Sequence, residues 1–203
     1  MDAADGHLSD ETLIAQIRCD GDRDAFNLLH QRYRPRVLNY LFRFLGNFER
    51  AEDLTQIVFI KVYGGIPKLV SLENIPGWIY RIAGNFARME FRRRRRHRSE
   101  EALSLNSLLP GKDGKTIELA DIIGSDFYRP DWIIQRRNLE AKVERAILRL
   151  APALREVLIL CIFQGLSYRK VAEILNIRSK TVGTRLFRAR RSIGEYMNST
   201  PDE

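Results

Sequence analysis

Apolar side chains recur along this chain at intervals of three and four residues, and no stretch alternates apolar with polar over the length of a strand, so the pattern predicts helices almost throughout. A first helix is predicted from Ser9 to Ile17, with Ser9 or Asp10 as its cap. A second runs from about Asp24 to Leu45, its buried face made by Phe26, Leu29, Tyr33, Val37, Tyr40 and Phe44, with Pro35 inside it as a candidate kink and Gly46-Asn47 as its stop. A third covers Arg50 to Tyr63 on a stripe of Leu54, Val58 and Val62, and Gly64-Gly65 is expected to end it before Pro67. Lys68 to Ile75 reads as a loop. Pro76 opens a fourth helix at a position that tolerates proline, with Ile79, Ile82, Ala83 and Phe86 inward.

That helix is expected to end in a basic run, Arg92 to Arg96 followed by His97 and Arg98, after which the texture changes. Residues 99–135 mix Ser, Gly and Pro with acids (Glu100, Glu101, Asp113, Glu118, Asp121, Asp126, Asp131) that outnumber the bases (Lys112, Lys115, Arg129). The segment reads as a flexible interdomain linker with a short ordered piece around Ile117 to Ile123. Helical periodicity resumes at Leu139, Val143, Ala146, Ile147 and Leu150, and a further helix starts at Pro152 with Leu154, Val157, Leu158, Cys161 and Ile162 inward and Gly165 as its stop. The predicted fold is all-α: two small helical domains, 8–98 and 136–197, joined by the linker.

The second domain closes on the sharpest local motif. Ser167 can cap a short helix from Tyr168 to Leu175, Asn176 tolerates the left-handed turn that comes next, Ile177 can plug the corner, and Ser179 can cap a second helix. On that second helix Val182, Leu186, Ala189 and Ile193 form an apolar stripe. The opposite face carries Lys180, Thr184, Phe187, Arg188 and Arg191, with Thr181, Arg185 and Arg190 at its flanks and no acid between Ser179 and Ile193. A basic face on the second helix of a helix-turn-helix is the element that enters a major groove, and an aromatic such as Phe187 has no core to enter there.

Charge agrees with that reading without proving it. The chain of 203 residues has a formal net charge of +8, which points to a polyanionic partner. On the fourth helix Arg81, Asn85, Arg88 and Arg92 make a polar stripe opposite the apolar one, flanked by Trp78. Asn presents donors and acceptors to base edges, and Arg reads phosphate or guanine. Eight arginines between positions 81 and 98 face the single Glu90, a density that repels itself unless an anion is near. The third helix differs: Asp53, Gln56 and Ile60 mix acid, amide and aliphatic groups, which suits a protein partner better than DNA and ordinary solvated surface equally well.

Other chemistries find no residues. Apolar runs are too short to span a membrane, and the acidic start, Met1 to Asp5, is not a secretory signal. Cys19 and Cys161 stand far apart and read as reduced cytosolic thiols, which places the chain in the cytoplasm. His7, His30 and His97 share no metal-ligand spacing, and neither a catalytic set nor a cofactor motif is present, so no cofactor and no enzymatic activity are expected.

Three segments together resemble one family. Ala51 to Tyr63 (AEDLTQIVFIKVY) resembles the polymerase-binding helix of bacterial sigma region two. Pro76 to Asn85 (PGWIYRIAGN), leading into the arginine run, resembles the helix that reads the −10 promoter element. Leu154 to Leu158, Gly165 to Tyr168 and Phe187 to Arg190 resemble sigma region four. Their order and spacing resemble the extracytoplasmic-function (ECF) sigma factors of the sigma-70 superfamily.

The resemblance implies a factor that directs core RNA polymerase to promoters and assists melting. Asp53, Gln56, Ile57 and Ile60 would contact polymerase. Lys68, Leu69, Asn74, Trp78, Arg81, Asn85, Arg88 and Arg92 would hold the −10 strand, with a flipped base between the Lys68-to-Asn74 loop and Asn85. Lys180, Thr181, Thr184, Arg185, Phe187, Arg188, Arg190 and Arg191 would meet the −35 duplex, and an anti-sigma protein would hold the factor inactive.

Four positions depart from the family pattern: Ile57 where Glu is frequent, Leu69 where an aromatic is common, Lys170 in place of Glu, and Gly183 in place of a long side chain. A LuxR-like helix-turn-helix regulator is the competing reading, since Lys180-Thr181-Val182 occurs in that setting too.

Overall fold

The structure is a computed structural model. It describes residues 8–69, 72, 74–104 and 130–199, without the side chains of 97–104 and 130–138. The described residues form eight α-helices and no strand: α1 (Asp10–Asp20), α2 (Arg23–Leu45), α3 (Phe48–Gly65), α4 (Ile75–Ser104), α5 (Pro130–Arg149), α6 (Pro152–Leu158), α7 (Tyr168–Leu175) and α8 (Ser179–Ser199).

Caps fix most of the boundaries. Ser9 Oγ accepts from the Thr12 amide at 3.2 Å, Asp22 from Asp24 at 2.8 Å, and Asn47 from Arg50 at 2.7 Å, so each of the first three helices starts on a side-chain oxygen. α2 ends on Gly46 at φ 68°, where a Cβ would be strained, and continues unbroken past Pro35.

α3 runs through Gly64 and Gly65 instead of stopping there, and a 3-10 turn over Ile66–Lys68 takes up Pro67. Gly65 is needed for room: a Cβ there would lie 2.8 Å from the Trp78 ring.

α4 passes through the arginine run to Ser104, and α5 starts at Pro130, so both ends of the expected linker are helical. The core of that linker, including Ile117 to Ile123, lies outside the described residues, as do His7, Val70, Ser71 and Glu73.

The second domain corrects three further expectations. Ile162 is 46% exposed, because a π-helical turn over Ile159–Phe163 widens the helix and shifts its register, so that Ile159 and Leu160 take the buried side. Leu139 is 53% exposed, whereas Ala146 and Ile147 near the end of α5, and Leu150 just after it, enter the core. Ser179 is the first residue of α8 and not its cap; the Arg178 carbonyl accepts from Thr181 at 2.8 Å and Val182 at 3.2 Å. Ser167 caps α7 as expected, and Asn176 closes it at φ 52°, the left-handed corner of a helix-turn-helix.

The two domains do not stand apart. α5 and α6 lie against α2, and α7 lies against α4. One hydrophobic cluster runs through both domains, from Leu13, Val37, Phe44 and Ile79 to Ile147, Leu160, Val171 and Leu186.

Within the first domain two residues of the arginine run are paired internally. Glu90, 4% exposed, accepts from Arg50 at 3.0 Å, Arg93 at 3.0 Å and Arg94 at 3.1 Å, which ties the start of α3 to the middle of α4. Burial pushes the Glu90 carboxyl up, but the hydrogen bonds from Arg93, Arg50 and Arg94 and the charge of Arg50 outweigh it and hold the pKa at about 2.

A depressed carboxyl stabilises the fold above its unfolded pKa and loses that contribution as pH falls toward its folded value. Glu90→Gln is therefore expected to lower stability by roughly 2 kcal/mol at neutral pH, a figure reduced for the partly exposed arginines. The difference between variant and parent should shrink as pH falls from about 4.5 toward 2. Urea unfolding at several pH values measures it; a pH-independent difference would mean that packing, not charge, is what Glu90 supplies.

Candidate nucleic-acid interface

α3 and α4 lie side by side and leave a cleft of about 630 Å³ between them and the turn that joins them. Its walls bring together four residues expected at the −10 element, Lys68, Leu69, Trp78 and Asn85, with Lys61, Gly65, Ile82, Phe86 and Met89. An indole, an amide and two ammonium groups around an apolar floor can stack a flat ring, pair with its polar edge and neutralise a phosphate. Leu69 lines the cleft where an aromatic was the family expectation.

Arg18, on α1, donates to the carbonyls of Ile66 at 3.4 Å and Leu69 at 2.5 Å and so holds the cleft's lower wall. The sequence reading passed over Arg18, Lys61 and Met89. Of these only Met89 carried a signal, four residues beyond Asn85 on the same helix face.

The rest of the α4 stripe is spread along the helix. Asn85 Oδ1 accepts from Arg88 at 2.6 Å, and Arg92, exposed, donates to the Arg88 carbonyl at 3.3 Å. Arg81 is exposed but donates to the Glu173 carbonyl of α7 at 2.9 Å, and Asn74 donates to Glu173 Oε2 at 3.1 Å. Arg88 pairs with Glu156. Asn74, Arg81 and Arg88, all expected to hold DNA, are thus engaged by the second domain.

On α8 the expected faces separate cleanly. Val182, Leu186 and Ala189 are buried against α6 and α7. Lys180, Thr184, Phe187, Arg188, Arg190 and Arg191 are exposed, Phe187 by 69%. Thr181 and Arg185 are half-buried, and the charge of Arg185 reaches Glu156. Arg191 pairs with Glu195 at 2.8 Å. Gly183 faces Tyr168, whose ring would lie 3.6 Å from a Cβ there.

On α3, Asp53, Gln56 and Ile60 are exposed and Ile57 is half-buried, so the four form one accessible side. Asp53 makes a 3.4 Å ion pair with Arg50, and Ile60 is 69% exposed.

Sequence reasoning also missed the junction between the domains. Arg155, 4% exposed, donates to the carbonyls of Phe44 at 2.6 Å, Ile147 at 3.1 Å and Leu150 at 3.0 Å, and to that of Leu148, closing the open ends of α2 and α5. Burial pulls its pKa down to about 10. Next to it Glu156, 5% exposed, accepts from Tyr40 at 3.0 Å and from Arg88. Burial raises the Glu156 pKa, and Arg88, Tyr40 and Arg185 pull it back. Tyr80 donates to Gln164 at 2.6 Å, and the Arg43 guanidinium stacks 3.8 Å above the Phe163 ring. Among the described residues no group of His, Cys, Asp and Glu could hold a metal ion, and no helix is long and apolar enough to cross a membrane.

Comparison with known proteins agrees with this arrangement. The Sigma-70 region 2 model matches residues 29–97, and the Sigma-70, region 4 model matches 140–193. A stand-alone helix-turn-helix regulator does not account for the first match. The RNA polymerase sigma-H factor of Pseudomonas aeruginosa is 31% identical over 188 residues, 93% of each chain. The ECF RNA polymerase sigma factor SigW of Bacillus subtilis is 30% identical over 184 residues, 91% of this chain and 94% of that one.

Among solved structures, CnrH in complex with the cytosolic domain of CnrY aligns with a TM-score of 0.66 at 21% identity over 95% of this chain and 99% of that one. The sigma factor RpoE of Bartonella quintana, in complex with the anti-sigma factor NepR, aligns at 0.61 and 21% identity over 87% of this chain and 98% of that one. Both share the all-helical fold. With a region 2 domain built around α3 and α4, a region 4 helix-turn-helix in α7 and α8, and full-length relatives of this kind, the chain belongs to the sigma-70 family of RNA polymerase sigma factors, in its ECF branch.

Proposed function

We propose that this sigma factor docks on core RNA polymerase through the Asp53, Gln56, Ile57 and Ile60 side of α3, captures a base of the melted −10 strand in the cleft beside Asn85, and reads the −35 duplex with α8. The observation that carries the proposal is the cleft itself. Trp78, Asn85, Lys61 and Lys68 surround about 630 Å³ within the stretch matched by the Sigma-70 region 2 model, beside the helix whose sequence resembles the −10-reading segment. A second support is α8, which turns a basic face and a bare phenylalanine to solvent. The factor does no chemistry of its own on this reading; it acts where polymerase acts, in the cytoplasm. An anti-sigma partner is proposed by analogy with RpoE and NepR. The acidic residues between the domains are proposed to follow the path of the nascent RNA.

Run-off transcription with core polymerase, followed by mapping of start sites, tests the whole reading: promoter-specific transcripts are expected, and none would overturn it. Asp53→Ala should weaken association with core polymerase in a pull-down titration while helicity stays unchanged, because Asp53 is exposed beside the core stripe and Arg50, its partner at 3.4 Å, keeps the shorter bond to Glu90. Unstacking a base costs a few kcal/mol that the cleft must offset. Asn85→Ala should therefore reduce permanganate reactivity of the melted region by about tenfold, the equivalent of a base contact, with less effect on closed binding.

The two arginines on α8 separate base reading from phosphate holding. Arg188 sits on the outer face opposite Leu186, and Arg190 flanks it. Arg188→Ala should narrow the gap between the true −35 element and a scrambled one by about 1–3 kcal/mol. Arg190→Ala should weaken both DNAs alike and lower the salt slope by roughly 0.9. Holoenzyme binding across a salt series measures both; an equal loss on both DNAs for Arg188→Ala would put the wrong face of α8 toward the bases.

A further inference from the structure

A binding site with a loop for one wall is only as selective as the contacts that hold the loop. The cleft beside Asn85 is built this way. Trp78, Asn85 and Met89 stand on α4 and Lys61 on α3, whereas Lys68 and Leu69 belong to the turn that follows α3. That turn is a 3-10 turn of three residues, Ile66–Lys68, closed by the Leu69 amide on the Ile66 carbonyl at 3.2 Å. Leu69 leaves it extended, at φ −71° and ψ 113°, so no helical ladder supplies a donor to the Leu69 carbonyl. Ile66 is fully buried and anchors the near end of the turn, but Leu69 is only half-buried and Lys68 is exposed. The end that lines the cleft is the end that can swing.

Two contacts bear on its position. Gly65, just before the turn, lies so close to the Trp78 ring that a Cβ would stand 2.8 Å from it. Arg18, in the last turn of α1, supplies the other. Its Nη2 donates to the Ile66 carbonyl at 3.4 Å and to the Leu69 carbonyl at 2.5 Å, across 48 and 51 residues of sequence. Among the described residues these are its only hydrogen-bond partners. A charged donor makes a stronger bond to a carbonyl than a neutral one does. α1 itself does not depend on these bonds: Leu13, Ile14 and Ile17 are buried, while Arg18 is exposed. α1 also lies outside residues 29–97 matched by the Sigma-70 region 2 model, so that match assigns it no part in the site.

We propose that Arg18 is a positioning residue for base selection in this cleft. By holding the carbonyls of Ile66 and Leu69 it fixes Lys68 and Leu69 in the wall, and discrimination among bases depends on that wall without Arg18 touching DNA. The proposal rests on the reading of the cleft as the −10 base site. Leu69 presents a branched aliphatic group and not a ring, so its part in selection is steric. A steric contact loses much of its value over a gap of about 1 Å, and the chain that carries it must therefore be held still.

The test uses the full chain with two variants. Arg18→Gln keeps a good helix former and removes the charge; Arg18→Lys keeps the charge on a shorter, non-planar head. Amide hydrogen exchange, without DNA or polymerase, should show the Leu69 amide about fivefold less protected in Arg18→Gln, the effect of one lost hydrogen bond. Arg18→Lys should fall between that variant and the parent, and the amides of the buried α2 residues should be unchanged. Holoenzyme transcription from a promoter with each −10 base changed in turn should then show discrimination at one −10 position reduced by about fivefold in Arg18→Gln, and by less in Arg18→Lys. The response to changes in the −35 element and the salt slope should match the parent.

Unchanged protection at Leu69 overturns the proposal, and so does a loosened turn that discriminates as well as before. Protection lost throughout α2 would make Arg18 a general support of the fold, and a salt slope lower by roughly 0.9 in Arg18→Gln alone would make it a phosphate ligand; either result overturns the positioning role. A parent that discriminates among no −10 bases counts against the reading of the cleft itself. A discriminating parent matched by both variants counts against Arg18 alone.

Discussion

A carboxylate removed from water must be paired and hydrogen-bonded to keep its charge, or else take up a proton. Among the described residues this chain buries two glutamates, and each organises a different level of structure. Glu90 gathers Arg50, Arg93 and Arg94, so that the helix proposed to meet polymerase and the helix proposed to meet DNA keep a fixed relation. The cleft between α3 and α4 depends on that relation, since its walls come from both helices. Glu156 gathers Tyr40 and Arg88 across the domain boundary, beside the hydrophobic cluster that the two domains share. In a protein with a surplus of eight positive charges, a few internal anions thus decide which arginines are available to an external one.

This division explains why the arginine run was the most misleading part of the sequence. Read alone, Arg92 to Arg96 looks like a uniform basic tail. In the fold Arg93 and Arg94 are held by Glu90, Arg94 also donates to the Leu45 carbonyl at 3.4 Å, and Arg92 remains exposed with its guanidinium on the Arg88 carbonyl. The partners lie three and four residues apart on one helix, a spacing the sequence displayed. What it did not display was that Arg50, forty residues earlier, joins the same carboxylate and that Glu90 is buried.

Much else was legible because it is local. Helix starts at Ser9 and Ser167, the stop at Gly46, the corner at Asn176 and the stripes of α2 and α8 follow from side-chain caps, left-handed tolerance and 3.6-residue periodicity. Each is decided within a few residues. The errors fall where the deciding atom is distant. Gly64-Gly65 read as a stop because nothing nearby indicated that Gly65 clears space for Trp78. Ile162 read as buried because a π-turn breaks the period on which the reading rested. Leu139 read as buried because the stripe continued past the point where other helices cover it. The candidate site was legible in its motif residues, Trp78, Asn85 and the outer face of α8, and illegible in its supports, Arg18, Lys61, Arg155 and Glu156, whose roles come from tertiary contacts alone.

The packed form also divides the three proposed surfaces unequally. On α3, Asp53, Gln56 and Ile60 face solvent, and on α8 Phe187 and Arg188 do so too, so neither surface is closed by the contact between the domains. On α4 the same contact holds Asn74, Arg81 and Arg88, while the cleft beside Asn85 stays open. An arrangement of this kind leaves the outward sides of α3 and α8 accessible while part of the α4 stripe is engaged within the molecule. The engaged groups are the ones for which a phosphate chain would compete: it would offer Arg81 and Arg88 more charge than the one carbonyl and one carboxylate that hold them.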